Sequence, residues 1–307
     1  MFLRRVSSFL AKKNEPRKKT SGKTTKKQSK NALAKTKGSF FVIRQEPSTM
    51  SSILLVSIPI FIVLVLWFLL TNGESIEARI INPAILPSPL EMLNAIPSLL
   101  SPQRKLLDGI FISLFRIIQG FTIALVIAFP LGILMGTFSK INKMFSSLII
   151  VGSYVPIPTL LPLTMAAFGI GEEQKIGFLA IASFVFLLPA FVKTIDDIDD
   201  IFLNTAYTLG TSKWQLVTKI LVPIAMPKIY DSMRTGFGIG FTWIIVAEMI
   251  GAESGLGFIL KQAQTRGGTD NTPIMYLVLL VIILLAFVID AIWKYFYKQF
   301  FPYKENR

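Results

Sequence analysis

The stretch DDIDDIFLNTAYTLGTSKWQLVTKILVPIAMP, residues 196–227, is a polar interruption between apolar runs of membrane-spanning length. Its four carboxylates suit the positive N-terminal end of a helix, and Gly210 permits the left-handed backbone that commonly ends one. We therefore predict a first helix over 198–209 and a second over 212–221. The second should stop near Pro223, because proline lacks a backbone donor. This unit could serve as a knob for a partner's socket.

The composition places the chain in a bilayer. The 307 residues are 52% hydrophobic, and the mean hydropathy of +0.59 is too high for an ordinary soluble domain of this size. Cysteine is absent, which excludes a disulfide framework and thiolate chemistry. Histidine is absent too, so an enzyme would have to work without the commonest general base and metal ligand.

Six apolar runs are long enough to cross a membrane. They cover approximately 53–70, 107–138, 145–168, 176–192, 229–250 and 274–296. After the first run, the sequence SPLE at 88–91 forms a capping box with proline at the first helical position. It predicts a short amphipathic helix along the membrane surface. The expected fold is an all-α integral membrane protein, with a six-helix domain over 51–298.

Basic residues set the expected orientation. Without the first 50 residues, the inner segments hold eleven Lys and Arg against six in the outer segments, if the N-terminus lies inside. Cytoplasmic loops carry the excess of these residues. Both termini, including a short tail at 299–307, and the polar loop at 193–228 should therefore face the cytoplasm.

Residues 1–50 are rich in lysine, serine and threonine and nearly lack acids, so we predict a mostly disordered tail. Its GKT at 22–24 is not a phosphate-binding loop, because the required first glycine would fall at Arg17 and no strand precedes it. The charge favours attraction to anionic lipid headgroups. No nucleic-acid partner is expected, because no aromatic residues interleave with the basic ones.

The third run contains Pro156, Pro158 and Pro162, and each removes a backbone donor that lipid cannot replace. Irregular backbone at membrane depth is tolerated where it faces protein or a wet cavity. Two interpretations stay open: the segment from Tyr154 to Pro162 lines a translocation path, or it is a packing kink between helices.

Two charges also lie within predicted spans, Arg116 in the second and Glu248 in the fifth. Such charges are costly and often functional. We favour a structural role for both, as paired or interfacial groups, over contact with a polar substrate or a gate. Gly236, Gly238 and Gly240 favour close helix packing in the fifth span.

The outer segment 251–271 is rich in glycine, threonine and asparagine, and SGLGF at 254–258 should break helical regularity. At about twenty residues it is long for a plain connector, and loops of that length are commonly functional or disordered.

The opening stretch resembles the signature loop of ABC importer inner-membrane permeases, E-A-A, three residues, G, nine residues, I-x-L-P. The matching positions are Asn204, Thr205, Ala206, Gly210, Ile220, Val222 and Pro223, with Asn204 and Thr205 replacing the glutamate and the first alanine. LPSP at 86–89, SLFRIIQGF at 113–121 and VAEMIGAESGLGF at 246–258 are similar to the branch that imports nitrate, sulfonates, taurine and similar solutes. The resemblance covers the chain from about residue 83 onward.

This resemblance implies a type I importer fold with a cytoplasmic coupling helix, in a cell inner or plasma membrane. It implies two separate ABC ATPase subunits that hold ATP and Mg²⁺, an extracytoplasmic binding protein that faces segment 251–271, and a second permease copy, identical or paralogous. This chain would bind no cofactor and catalyse no reaction. The residues expected to couple it to the ATPase are Asn204, Thr205, Ala206, Leu209, Gly210 and Pro223. Ala206 would let the ATPase surface approach the first helix closely. The expected function is import of a small solute, nitrate-, sulfonate- or taurine-like or a vitamin precursor, by alternating access.

Three rival hypotheses stay open at this point. A secondary transporter driven by an ion gradient should show acidic residues at mid-span or interrupted helices in matching halves. An intramembrane enzyme would need a carboxylate pair, or a serine with a lysine, at membrane depth. A purely structural anchor would leave the proline-rich third run and the signature loop unexplained.

Overall fold

The computed structural model describes residues 48–73 and 79–304. The tail predicted to be disordered therefore lies outside the described residues except for its last three positions, as do the last three residues of the chain. The helices are α1 (Thr49–Thr71), α2 (Pro89–Leu99), α3 (Leu106–Thr137), α4 (Ser139–Tyr154), α5 (Leu160–Phe168), α6 (Glu172–Asp196), α7 (Asp200–Thr208), α8 (Lys213–Leu216), α9 (Val222–Met249), α10 (Leu256–Arg266) and α11 (Gly268–Phe300). The chain divides within α1 into two units, the first ending at Val63 and the second beginning at Leu64. Apart from the length and composition of α1, everything below concerns the second unit.

Four of the helices are long and apolar enough to cross a membrane, namely α1, α3, α6 and α11. Helices α4 and α5 qualify together as one broken span, bent by 94°. The sixth predicted span, 229–250, lies in α9, which has 28 residues. Within the described ranges α9 is not among the qualifying helices, because Asp231 and Arg234 lower its hydropathy. The all-helical membrane fold is confirmed, and the number of spans is confirmed in part.

The core of the fold is a close packing of α3 against α6. Small residues recur at every fourth position along one side of α3, at Gly120, Ala124, Ala128, Gly132 and Gly136. A Cβ added to Gly120 would lie 2.5 Å from Leu179 Cβ, and one added to Gly132 would lie 2.7 Å from Phe191 Cβ. The two backbones therefore approach as closely as small-residue helix interfaces in membranes allow. We call this contact the small-residue seam; it was not predicted from the sequence.

Helix α9 packs on the same core through buried Ile229, Phe237 and Ile244. A Cβ at Gly236 would lie 3.0 Å from Leu187 Cδ2, and one at Gly240 would lie 3.2 Å from Ile117 Cγ2. Close packing is thus confirmed for these two glycines. Nothing lies within 4 Å of a Cβ placed on Gly238, so the prediction does not hold there.

A second core joins α2, α10 and α11 through buried Met92, Leu256 and Val278. The predicted capping box starts α2: the Glu91 amide donates to Ser88 Oγ at 3.2 Å, and the Ser88 amide donates to Glu91 Oε2 at 2.8 Å. Arg79 Nη1 donates to Glu91 Oε1 at 2.7 Å. Burial by itself would raise the pKa of Glu91, but the Ser88 amide and the Arg79 guanidinium outweigh it and hold that pKa below its usual value.

The prolines of the third run break it as predicted. Helix α4 ends at Tyr154, a short 3₁₀ turn covers Ile157–Thr159, and α5 begins at Leu160. Pro162 lies in the first turn of α5, where a missing backbone donor costs little. The sharp bend follows from three prolines within seven residues.

The helix predicted to stop near Pro223 does not stop there. Helix α8 passes into a π-helical turn, Val217–Leu221, which continues directly into α9. In this wider turn the Val222 amide donates to the carbonyl of Val217, five residues back. A π turn holds one residue more than an α turn, which gives the ring of Pro223 room that a regular helix would deny it. Missing this turn is why the prediction of a stop is wrong.

Candidate functional site

Two features stand at opposite ends of α6 and α9. One is the two-helix loop, residues 199–221, which joins the end of α6 to the start of α9. The other is a charge network around buried Arg116 and Glu248, where α6 begins and α9 ends. Its members are Ser113, Arg116, Glu172, Glu248 and Ser254. With 25 residues in α6, a rise of about 1.5 Å per residue separates the two features by roughly 37 Å.

Only two of the four carboxylates expected at the start of the first loop helix are there. Asp199 caps α7 by accepting a hydrogen bond from the Ile201 amide at 2.9 Å, and Asp200 lies in the first turn. Asp196 is instead the last residue of α6, and Asp197 follows it as the C-cap. The expectation is wrong for this pair, because buried Ile195 packs against Gly136 and carries α6 one turn further.

Gly210 ends α7 as predicted. Its φ is +71°, the left-handed region that favours glycine. The Gly210 amide donates to the Tyr207 carbonyl at 3.0 Å, and the Thr211 amide donates to the Ala206 carbonyl at 3.2 Å. This pair of bonds is the Schellman arrangement, which satisfies the last carbonyls of a helix. No atom lies within 4 Å of a Cβ placed on Gly210, so the backbone conformation alone selects glycine here.

The loop has a small apolar core of its own. Ala206, Leu216 and Leu221 are buried together, with Ile198, Leu203 and Ile220 partly buried around them. Ala206 is only 1% exposed. The prediction that Ala206 offers its backbone to a partner is therefore not matched by its position, because its methyl group fills the contact between α7 and the turn before α9. In this structure it positions the loop.

The remaining predicted coupling residues lie on the surface. Asn204, Thr205, Leu209 and Pro223 are exposed, and Leu209 reaches 78%. Large apolar side chains that the motif did not identify surround them: Ile201, Phe202, Tyr207 and Trp214, the last 63% exposed. The sequence signal for them is the presence of large apolar residues in a polar loop that is too short to span a membrane. The loop therefore presents a contiguous stretch of chain with exposed aromatic and aliphatic groups.

At the other end, Glu248 is completely buried and fully bonded. Arg116 Nη1 donates to its Oε1 at 2.6 Å, and Ser113 Oγ lies 2.8 Å from the same oxygen. The Gly257 amide donates to Oε2 at 2.8 Å, while the Leu256 amide donates to Ser113 Oγ at 2.9 Å. Glu248 and Ser113 thus cap the N-terminus of α10, where a negative charge is stabilising.

Arg116 connects three parts of the chain. Besides Glu248, its guanidinium holds Glu172 through a two-pronged contact in which Nε donates to Oε2 at 2.6 Å and Nη2 donates to Oε1. Nη1 also donates to the Ser254 carbonyl at 2.9 Å. Such bidentate pairs fix geometry as well as charge. Buried Lys175, which donates to the Gly171 carbonyl at 2.9 Å, brings the cluster to two cations and two anions.

Segment 251–271 is largely helical. As predicted, SGLGF interrupts helical regularity, since Ser254 and Gly255 are not helical, and its last three residues then start α10, which runs to Arg266. Gly255 has φ +111°, and a Cβ there would overlap the Glu248 carboxylate. A Cβ on Gly257 would lie 2.6 Å from Glu248 Cβ. These glycines let the chain lie directly on the buried acid, so the sequence signal read as irregularity is one of close approach.

The structure separates the residues predicted to line a path. Glu248 is 0% exposed and bonded on both oxygens, which is the paired arrangement of the favoured structural role; contact with a substrate or a gate stays a prediction. Tyr154, Pro156, Pro158 and Pro162 are exposed, with Tyr154 at 83%. The broken span touches α9 beside the acid, since Leu161 packs with Ala247. Whether the exposed stretch lines a path stays a prediction.

The chain is similar in sequence to a known family of membrane transport proteins. Residues 128–301 match the model of the family described as binding-protein-dependent transport system inner membrane component. A putative ABC transporter permease protein of Methanocaldococcus jannaschii is 29% identical over 268 residues, which cover 84% of this chain and 94% of that protein. The taurine transport system permease protein of Escherichia coli is 29% identical over 218 residues, which cover 69% of this chain and 78% of that one.

A solved structure has the same fold. A chain of the MetNI methionine ABC transporter, in an inward-facing conformation, superimposes with a TM-score of 0.57 at 20% identity, over 63% of this chain and 95% of that one.

Proposed function

The chain belongs to the family of binding-protein-dependent transport system inner membrane components, and on that premise we propose how it is driven and what it carries. It is a multi-pass membrane protein and a permease subunit of an ABC importer, similar to those of the taurine, nitrate and sulfonate branch. Separate ATPase subunits, which bind ATP and Mg²⁺, drive it from the cytoplasmic side. A binding protein delivers the solute outside, and a second permease copy, identical or paralogous, completes the path.

The exposed apolar surface of the two-helix loop carries this proposal. Leu209, Tyr207, Trp214 and Phe202 project from a loop that also carries Asp199, Asp200 and Lys213, so they do not belong to a lipid-facing stripe. Exposed aromatic and large aliphatic groups rimmed by polar ones mark protein interaction sites. A socket on the ATPase would bury them.

The loop is joined rigidly to the spans that it would move. The π turn passes into α9 without a break, and α6 reaches the loop through Asp196. When two ATPase subunits close on ATP, two such loops are brought together, and α6 and α9 follow them. The spans then rock from an inward-open to an outward-open state, and the binding protein releases its cargo into the cavity.

The solute is small, like the nitrate, sulfonates, taurine or vitamin precursors of the branch. One relative is named for taurine transport. We assign the choice among these solutes to the binding protein. The broken span around Tyr154 and Pro158 is the proposed lining of the path, because its exposed, non-helical backbone needs protein or water around it.

The test is retention of the ATPase by a tagged chain in mild detergent, with wild type beside Gly210→Arg. Gly169→Arg is the matched control, since Gly169 also has a positive φ, +75° against +71°, and no neighbour within 4 Å of a Cβ. Both variants put an arginine at a glycine of positive φ and add the same charge. Gly169 also has ψ −169°, a conformation almost exclusive to glycine, so the control does not carry the smaller backbone penalty. We expect a P-loop ATPase with wild type and with Gly169→Arg, and none with Gly210→Arg.

Two results would overturn the proposal. One is full retention of the ATPase and normal transport by Gly210→Arg. The other is uptake by proteoliposomes that requires a cation gradient and ignores ATP, which would bring back the secondary transporter.

A further inference from the structure

A groove of about 1020 Å³ lies where the C-terminal end of the chain meets the π turn and the start of α9. Its described lining residues are Lys219, Ile220, Pro223, Ile224, Tyr303 and Lys304. The volume is at the upper end of what sites for small organic ligands reach. The groove is separate from the exposed apolar surface of the two-helix loop, none of whose side chains lines it.

The groove is basic. Lys219 and Lys304 reach it from two different parts of the chain, and none of its described lining residues is acidic. In the part of the chain that the structure describes, neither lysine lies in an ion pair with a carboxylate. Two ammonium groups beside two isoleucines match a ligand that has an anionic head and an apolar tail.

A cluster of aromatic rings places the groove at the level of lipid headgroups. Tyr230 packs against Trp293 and Phe301, with ring centroids 5.0 and 5.8 Å apart, and Phe301 packs against Tyr303 at 6.2 Å. Aromatic residues of this kind gather at membrane–water interfaces. Pro223 lies seven residues before Tyr230, about 10 Å further along α9. The groove therefore extends from the aromatic cluster at Tyr303 to Pro223, along the headgroup side of the membrane interface.

We propose that this groove binds the headgroup of an anionic phospholipid. The ammonium groups of Lys219 and Lys304 pair with the phosphodiester, the Tyr303 hydroxyl donates to it, and Ile220 and Ile224 receive the start of an acyl chain. The site holds lipid against the π turn that links the two-helix loop to α9. It does not depend on the docking of an ATPase.

The test is lipid binding by the purified full chain in detergent, measured by native mass spectrometry with phosphatidylglycerol and with zwitterionic phosphatidylcholine. The variant is Lys219→Gln with Lys304→Gln. The matched control is Lys140→Gln with Lys143→Gln, two exposed lysines near the start of α4 that do not line the groove. A third arm adds inorganic phosphate as a soluble competitor.

We expect wild type and control to prefer phosphatidylglycerol, and the groove variant to bind it about 30-fold more weakly, which is about 1 kcal/mol for each lysine. Lys219→Arg with Lys304→Arg should keep most of the binding. Equal binding by wild type and groove variant, or an equal loss in the control, would overturn the site. Complete displacement by inorganic phosphate would show a soluble anion in place of a lipid.

Discussion

The two ends of α6 and α9 are built on opposite principles. At one end, the charge network buries Arg116 and Glu248 and gives each of their polar atoms a partner within the chain. At the other end, the two-helix loop has a small core of buried Ala206, Leu216 and Leu221 and leaves large apolar groups exposed. The first end has its bonding partners within the chain, whereas the second leaves apolar groups exposed for the proposed partner to cover.

This difference separates stability from coupling. A buried ion pair that loses one member leaves an uncompensated charge, which is among the costliest defects in a protein. An exposed apolar side chain can be replaced with little effect on folding, because it was never removed from solvent. Substitutions in the charge network should therefore lower the stability of the fold, whereas substitutions on the exposed surface of the loop should weaken binding of the ATPase.

The largest effect is expected from Arg116→Met. It leaves Glu248 buried with only Ser113 and the Gly257 amide as partners, and should lower the free energy of unfolding by about 3–5 kcal/mol. Unfolding of the detergent-solubilised chain measures this. The matched control is Arg234→Met, because Arg234 pairs with Asp290 at 3.2 Å on a partly exposed surface and should cost less than about 1 kcal/mol. Equal losses of unfolding free energy in both variants would mean that the buried charge network stabilises the fold no more than an exposed ion pair does.

A smaller effect is expected from Ala206→Leu. The added methylenes have no room in the loop core and should cost about 1–3 kcal/mol. Hydrogen exchange of the α7 and α8 amides measures this locally, and it should speed up while exchange in α3 stays unchanged. Thr205→Leu is the control, because Thr205, the neighbour of Ala206, is exposed and a larger side chain there can extend into solvent. Unchanged exchange in Ala206→Leu would show that the loop core is not packed as described.

Acid should weaken the ion pair of Glu91 with Arg79 at the start of α2. The pKa of Glu91 is held below its usual value in the folded state, so its contribution is complete above the unfolded pKa of about 4.3 and is lost as the pH falls through the folded value. Wild type should be more stable than Glu91→Gln at about pH 7, and the difference should shrink below about pH 4. A difference that does not depend on pH would contradict the pairing with Arg79.

The smallest effect on stability is expected at the exposed surface of the loop. Leu209→Ser should change the free energy of unfolding by no more than about 0.5 kcal/mol, yet it should weaken retention of the ATPase. Leu93→Ser is the control, because Leu93 on α2 is 61% exposed and lies outside the loop. An equal loss of ATPase retention with Leu93→Ser would contradict a specific contact between the two-helix loop and the ATPase.

Local signals in the sequence were reliable, and those that join distant residues were not. The capping box at Ser88, the end of α7 at Gly210 and the break after Tyr154 each follow from a few neighbouring residues, and the structure has all three. The pairing of Arg116 with Glu248 joins positions 132 residues apart. The residues around Arg116 and those around Glu248 do not identify the other member of the pair. The sequence therefore predicts that each charge is costly to bury, but not which residue neutralises it.

Two misses have local causes. The π turn depends on one extra residue before Pro223, and periodicity averaged over a whole helix does not register a single residue. Gly120, Gly132 and Gly136 could have predicted the small-residue seam. It was missed because the alanines between them are as common in any apolar span. Spacing by four, rather than composition, was the signal.

The seam also has a mechanical consequence. Two helices whose backbones touch cannot slide past one another by a fraction of a turn, because Leu179 and Phe191 are seated where side chains of α3 are missing. Helices α3 and α6 therefore form a single lever, with the two-helix loop near one tip and Arg116 with Glu172 near the other. A rigid lever moves its two tips in opposite directions, and the position of the pivot sets the ratio of the two displacements.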